Sequence, residues 1–227
     1  MYRLDRPVWW SLTTHHGGLS QGNSLARRFV TDVNLFASAC DDTPEAAAAL
    51  AELVGLGETV FIAQVPAIVV PHGFVEVKTA KGVQMVAPRG TNFEAPGDAI
   101  RVLTDEDAPE MLALATLTEP GPFLRRTHVM GTFRGIRVGG RLVAMAGERL
   151  RFPGYTEVSG VCTHPEFRGR GLARRLSAVV AGGIEARGEQ AFLHAWKSNH
   201  SAISLYEGLG FRVRTEVQVV VLRRVAV

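Results

Sequence analysis

The chain has 227 residues, of which 46% are hydrophobic, 21% charged and 7% aromatic, enough for a core of ordinary size and unlike a disordered tail, a fibrous repeat or a coiled coil. The formal net charge is only +3, yet residues 120–227 carry 17 basic against 7 acidic side chains and residues 1–97 carry 7 against 9, so an anionic ligand is expected in the C-terminal part. Basic residues occur at most in pairs such as Arg174-Arg175 and Arg223-Arg224, with no interleaved aromatics, which argues against nucleic acid as a partner.

Cys40 and Cys162 are the only cysteines, too few for a disulfide framework or a four-cysteine zinc site, and no metal is expected. The N-terminal MYRLDRPVWWSL is interrupted by Asp5, Arg6 and Pro7, and no later stretch approaches the roughly 18 apolar residues of a membrane helix. A cytoplasmic protein without a membrane partner is the expectation.

In chain order, the first elements are a helix over Pro44–Val54 and strands over Thr59–Val65, Ala67–Val70 and Phe74–Thr79. VAPRGTNFEAPG, residues 86–97, has the prolines and glycines of a linker and divides the chain into an N-terminal α+β region, 1–96, and a second unit, 97–227. After it, Ala99–Leu103 reads as a strand, and Thr104 with three following acids caps a helix reaching Leu117. A second helical piece is expected over Gly121–Met130. Strands Thr132–Val138 and Arg141–Arg149 are joined by Gly139-Gly140, a strong hairpin signal, and Thr156–Thr163 follows. Beyond the loop HPEFRGRG comes a helix with an apolar stripe at Leu172, Leu176, Val179, Val180 and Ile184. The chain closes with strand Gln190–Ala195, helix Asn199–Glu207 and strands Phe211–Val213 and Val217–Leu222.

The chemistry concentrates in TEVSGVCTHPEFRGRGLA, residues 156–173. A strand runs through a loop containing Gly169 and Gly171 directly into a helix, so unpaired backbone N–H groups and the positive end of the helix dipole converge on one spot. Glycine lets an anion approach the backbone, and Arg168 and Arg170 add charge. A P-loop is excluded because Leu172 follows Gly171, and a dinucleotide fingerprint is disfavoured by Arg174.

Arg168-x-x-Gly171-x-Ala173 resembles the R/Q-x-x-G-x-G/A signature of the GNAT superfamily of acyl-CoA-dependent N-acyltransferases. Val161 to Pro165 looks like that family's pantetheine-binding strand end, and Asn199, Ala202, Leu205, Tyr206, Gly210 and Phe211 match its second signature. The resemblance covers about residues 98–227, and the stretch AGERLRFPGYTEVSGVCTHPEFRGRG is further similar to the C-terminal domain of glycine N-acyltransferases. It implies an α/β fold with a mixed, mostly antiparallel sheet flanked by helices, and direct transfer of an acetyl group from acetyl-CoA to a primary amine of a small molecule or peptide, without a metal. It assigns Val161, Cys162, Thr163, Arg168, Gly169, Arg170, Gly171, Leu172, Ala173, Asn199 and Tyr206 to coenzyme binding. A backbone N–H near Val161 to Thr163 would meet the oxyanion, and Tyr206 would protonate the thiolate.

An ammonium cannot attack, so a base must take its proton, and Glu157, Glu148 and His128 are the candidates. Strand alternation puts Glu157 with Tyr155, Ser159 and Val161 on one face, opposite Cys162. Cys162 reads as a buried small hydrophobe and His194 as a hydrogen-bonded structural residue. Residues 1–96 could be a degenerate half related to the second unit that shapes the acceptor pocket, and a homodimer is compatible with the sequence. A non-catalytic acyl-CoA sensor and a nucleotide-dependent oxidoreductase are the rival readings.

Overall fold

The computed structural model describes residues 2–93 and 99–226. In chain order these form α1 (Pro7–Thr13), β1 (Ser20–Gly22), β2 (Ala26–Phe29), β3 (Ala37–Ala39), α2 (Pro44–Glu52), β4 (Thr59–Gln64), β5 (Phe74–Val86), β6 (Ile100–Val102), α3 (Ala108–Thr118), β7 (Phe133–Val138), β8 (Arg141–Phe152), β9 (Tyr155–Thr163), α4 (Leu172–Ala186), β10 (Gln190–Trp196), α5 (His200–Glu207) and β11 (Arg212–Arg224). Eight of the strands make one sheet in the order β4-β11-β5-β10-β9-β8-β7-β6, and β1 to β3 make a small sheet of their own. Among the described residues of the large sheet, only β9 and β10 pair in parallel. The expected mixed, mostly antiparallel sheet flanked by helices is therefore present.

The division near residue 96 does not separate two sheets. β5, from the N-terminal region, is wedged between two C-terminal strands, with Gly82 opposite both Trp196 of β10 and Val217 of β11. Val83 and Met85 are buried there, whereas Val75 and Val77, beyond the reach of β10, are exposed. α1 places Val8 and Leu12, four residues apart, with Leu4 against Leu150, Phe152 and Phe192, and so covers one face of the C-terminal strands. On the sheet, α4 packs its apolar stripe over Val143, Ala146 and Val158, and α3 packs Met111 and Leu114 over Met145 and Cys162. Hydrophobic burial thus ties both regions into one core.

Some expected elements differ. No strand forms over Ala67–Val70: Pro66 lacks a donor, Gln64 Nε2 donates to Ala67 O at 3.3 Å, and Ile68 N donates to the Gln218 side chain at 3.2 Å, so side chains take the ladder's place. Over Gly121–Met130 only Thr127–Met130 coils, as a 3₁₀ turn. Pro120, Pro122 and Gly121 at φ +129° stop regular structure, and Thr127 Oγ1 accepts from Leu124 N at 2.7 Å and donates to Val33 O at 2.6 Å. The last two expected strands are one, β11, with an irregularity at Arg214 between Val213 and Thr215. β5 continues seven residues past Thr79. α1 and the small sheet carry no strong local signal and were not expected. The expected linker lies partly at residues 94–98, outside the described residues.

Candidate active site

β9 and β10 pair only at Tyr155/Gln190, Thr156/Ala191 and Glu157/Phe192, and then part. The cause is a bulge in β9: Gly147 of β8 faces Ser159 and Met145 faces Cys162, leaving an extra residue at Gly160 and Val161. Gly160 has φ +61°, and a Cβ there would lie 2.8 Å from the Phe133 ring, so only glycine fits the bend. The opening is a cavity of about 230 Å³, lined from β9 by Gly160 and Val161, from β10 by His194 and from α5 by Tyr206. The bulge also breaks the expected alternation. Val158 and Val161 both pack against the α4 core while Cys162 faces the α3 core, so Val161 does not share a face with Glu157 as simple period two requires.

Beyond Val161 β9 leads through a 3₁₀ turn, Pro165–Phe167, to α4. Gly169 has φ +74° and Gly171, the residue before the helix, has φ +72°; nothing lies within 4 Å of a Cβ on either. No side chain caps α4, so its first N–H groups face open space with the helix dipole behind them. Arg168 and Arg170 are exposed beside them, Arg170 stacked 4.8 Å over Phe167. Leu172 and Ala173 form the first turn, and Arg174 is engaged elsewhere, donating to Gly208 O at 2.8 Å. The Thr163 hydroxyl, at the end of β9, is buried without a hydrogen-bond partner among the described residues. An open glycine cradle and an orphaned hydroxyl fit a pyrophosphate with a polar chain threading inward. Asn199 lines the cavity while accepting from Ala202 N at 3.1 Å as the cap of α5.

The base candidates fare differently. Glu157 is fully buried: Arg149 Nε and Nη2 donate to its two oxygens at 2.8 and 2.7 Å, Leu150 N donates at 3.3 Å, and His194 Nδ1 lies 2.7 Å away. Burial pushes its carboxyl upward, but the Arg149 charge and hydrogen bonds, with His194, outweigh this and hold it at about 2. Such a carboxylate is a poor base, and its oxygens are engaged by Arg149, Leu150 N and His194. Glu148 is on the other side of the sheet, ion-paired to Arg187 at 2.9 Å in a cleft it shares with His15, His16 and His128. His128 there lies 3.2 Å from Asp105. Neither Glu148 nor His128 lines the cavity: Glu148 pairs with Val158 of β9, and the irregularity in β8 that follows it turns both Arg149 and Leu150 toward the cavity instead.

Burial pushes the Tyr206 phenol up to about 12, aided by the neighbouring Cys162 and Glu157, so it keeps its proton at neutral pH. Burial likewise pushes the Cys162 thiol up to about 11, and it packs with Met111 and Leu114 as a small hydrophobe.

Sequence reasoning gave no site role to five residues at or beside the cavity. His194 lines the cavity and is held at both ring nitrogens. Its Nδ1 faces the ionised Glu157, which can only accept. Gln84 Nε2 lies 3.1 Å from its Nε2; Leu4 O accepts a second Gln84 N–H at 2.9 Å and Arg214 Nε donates to Gln84 Oε1 at 3.1 Å, which fixes the amide with nitrogen toward the ring. The orientation of Gln84 thus offers an N–H to His194 Nε2, while Glu157 accepts at Nδ1. Arg149, Phe36 and Glu119 are the others. Arg149 and Glu157 meet because β8 is irregular there, with Arg149 and Leu150 set against the single residue Glu157; a regular hairpin drawn from the sequence puts Leu150 opposite Glu157, and Phe36 and Gln84, from the N-terminal region, carry no signal either.

Among the described residues no helix is long and apolar enough to cross a membrane, and no group of three or more His, Cys, Asp or Glu is arranged to hold a metal. The splayed parallel pair, the bulge and the glycine-capped helix define the architecture of a GNAT-type acetyltransferase. An FR47-like protein family model matches residues 133–220. A solved structure assigned as an acetyltransferase of the GNAT family, from Novosphingobium aromaticivorans, is 42% identical over 100% of both chains with a TM-score of 0.93. The chain belongs to the GNAT family. A GCN5-related N-acetyltransferase from Kribbella flavida shares the fold at 18% identity, with TM-score 0.67 over 98% of this chain and 96% of that one. No curated protein matches the sequence.

Proposed function

We propose that this protein is a cytoplasmic N-acetyltransferase that moves the acetyl group of acetyl-CoA directly onto a primary amine of a small molecule or peptide through a tetrahedral intermediate. The observation that carries this reading is that β9, whose bulge opens the roughly 230 Å³ cavity, leads on to the glycine-led α4 that no side chain caps. Bound acetyl-CoA supplies the thioester. Backbone N–H groups from Gly169 to Ala173 hold its pyrophosphate, and Arg168 and Arg170 screen the charge. An N–H of the bulged segment near Val161 meets the oxyanion, as the β9 ladder is interrupted there. Tyr206, protonated, donates to the departing thiolate. His194 replaces the expected carboxylates as proton acceptor: its Nε2 lone pair, held by the 3.1 Å Gln84 contact, takes the amine proton once substrate displaces that contact, and Glu157 steadies the imidazolium. The likeness to glycine N-acyltransferases belongs to this reading as its finer part.

Purified protein is expected to bind acetyl-CoA at micromolar concentration by calorimetry, with NAD as a non-binding control, and to release thiol when an amine library is added. Tyr206→Phe lowers kcat about 10- to 100-fold with acetyl-CoA affinity unchanged within a few-fold; an unaltered kcat removes Tyr206 from the acid role. His194→Gln lowers kcat/KM by about 100-fold with acetyl-CoA affinity unchanged within a few-fold, and an unaltered kcat/KM assigns the base elsewhere. One observation favours a second reading, a non-catalytic acyl-CoA sensor: every acceptor position of Glu157 and both ring nitrogens of His194 are already engaged. Acetyl-CoA binding with no thiol release for any amine would select it.

A further inference from the structure

We propose that the acceptor is a small amine carrying a carboxylate and an apolar body, of the α-amino acid class, and that Arg149 selects it. This rests on the acetyl-transfer reading and names its second substrate.

The charged and titratable groups lining the cavity are Arg149 from β8, His194 from β10, Tyr206 from α5 and Glu119 from the loop after α3, with Glu157 directly behind. The Arg149 side chain is only 11% exposed. Two of its corners are spent on Glu157, and its guanidinium lies 4.9 Å over the Phe36 ring. The third corner, Nη1, has no partner among the described residues and lies beside Gly121, 3.8 Å from where a Cβ would stand. A guanidinium held at two corners and stacked on a ring keeps its fork in one orientation, so a planar anion binds the open edge with little further loss of side-chain entropy. The Arg149–Glu157 pair is neutral as a whole and turns its positive end to the cavity. A carboxylate is favoured there and an ammonium is not.

The remaining walls decide the rest of the acceptor. Phe36, Phe61 and Ala63 come from the N-terminal region, and Leu150, Val217 and Val219 from the sheet. About 230 Å³ admits an amino-acid-sized molecule rather than an oligosaccharide or a folded peptide. Polyamines fit poorly, because Glu157 has no free acceptor position and Glu119, exposed at the rim, is the one lining carboxylate without an ion pair among the described residues. A second ammonium would be dehydrated against phenylalanine and valine walls. One rim carboxylate, one open guanidinium edge and an apolar cavity complement a zwitterion with an apolar side chain.

The test compares each amino acid with the amine that lacks its carboxylate: L-leucine against 3-methylbutylamine, L-phenylalanine against 2-phenylethylamine, and spermidine as the polycation. Thiol release gives kcat/KM for the wild type, for Arg149→Lys and for the double variant Arg149→Gln with Glu157→Gln, which strands no buried charge. Differences in amine basicity are the same for all three proteins and cancel in the comparison. The wild type is expected to favour the amino acid by about 100-fold, and both variants to lose at least about tenfold of that preference while acetyl-CoA affinity by calorimetry stays within about threefold. Wild-type transfer to the plain amine or to spermidine as readily as to the amino acid overturns this proposal and leaves the transferase reading standing, as does a preference retained in both variants. Acetyl-CoA binding without transfer to any amine overturns both.

Discussion

Glu157→Leu is expected to cost about 3–5 kcal/mol of folding free energy, read as a drop in the urea midpoint at neutral pH, because it leaves the Arg149 guanidinium buried and unpaired between β8 and Phe36. Adding Arg149→Leu should return more than half of the loss, since replacing both partners of a buried pair by apolar groups is close to neutral, whereas stranding one is not. A double variant no more stable than the single one shows that the cost comes from lost packing rather than from an unpaired charge. The same pair sets an acid limit. Glu157 titrates at about 2 in the folded chain and near the usual 4.5 when unfolded, so its contribution is fully present above about pH 4.5 and fades as the pH falls toward 2. The difference corresponds to about 3 kcal/mol, and Glu157→Gln is expected to flatten that part of the stability curve measured between pH 6 and 2.

The network around Glu157 also marks where the sequence is legible and where it is not. The β7–β8 hairpin is readable because Gly139 and Gly140, at φ +57° and +83°, announce a turn that other residues resist. α4 is readable from its stripe at Leu176, Val180 and Ile184, and α5 from Asn199, whose side chain caps it as expected. These are local rules. The position of β5 is not local: Gln84 meets His194 of β10 and Arg214 of β11, 110 and 130 residues away. Nothing in Phe74–Val86 distinguishes a central strand from an edge strand, because five of its thirteen residues, 82–86, are flanked by strands on both sides and the rest pair with β11 alone. The glycine-led start of α4 was legible because Gly169, Gly171 and the first turn of the helix fall in one stretch. The surroundings of the two carboxylates were not, because what faces a side chain is set by distant strands. Glu148 and Glu157 look alike in sequence, yet one pairs with Arg187 outside the cavity and the other with Arg149 behind it. The rank of the two as bases therefore turned on partners that no spacing rule supplies.

Gly171→Glu is expected to abolish acetyl-CoA binding while the protein stays folded. At φ +72° a side chain is strained by about 1–2 kcal/mol, but nothing lies within 4 Å of the new Cβ, so the fold has room for it. The carboxylate then lies at the start of α4, where it takes up the helix dipole as an internal anion and repels the pyrophosphate it displaces. Like charges competing for the same N–H groups cost several kcal/mol, so affinity should fall by about a thousand-fold or more, with a melting temperature lowered by only a few degrees. Gly171→Ala separates the two causes. It carries the strain without the charge, and its affinity should fall tenfold or less if the phosphate contacts come from the backbone of residues 169–173. A calorimetric titration of both variants decides the matter: Gly171→Glu binding acetyl-CoA within tenfold of the wild type would move the anion site away from α4, and Gly171→Ala failing as badly as Gly171→Glu would make the left-handed turn itself, rather than the open field in front of it, the feature that binds.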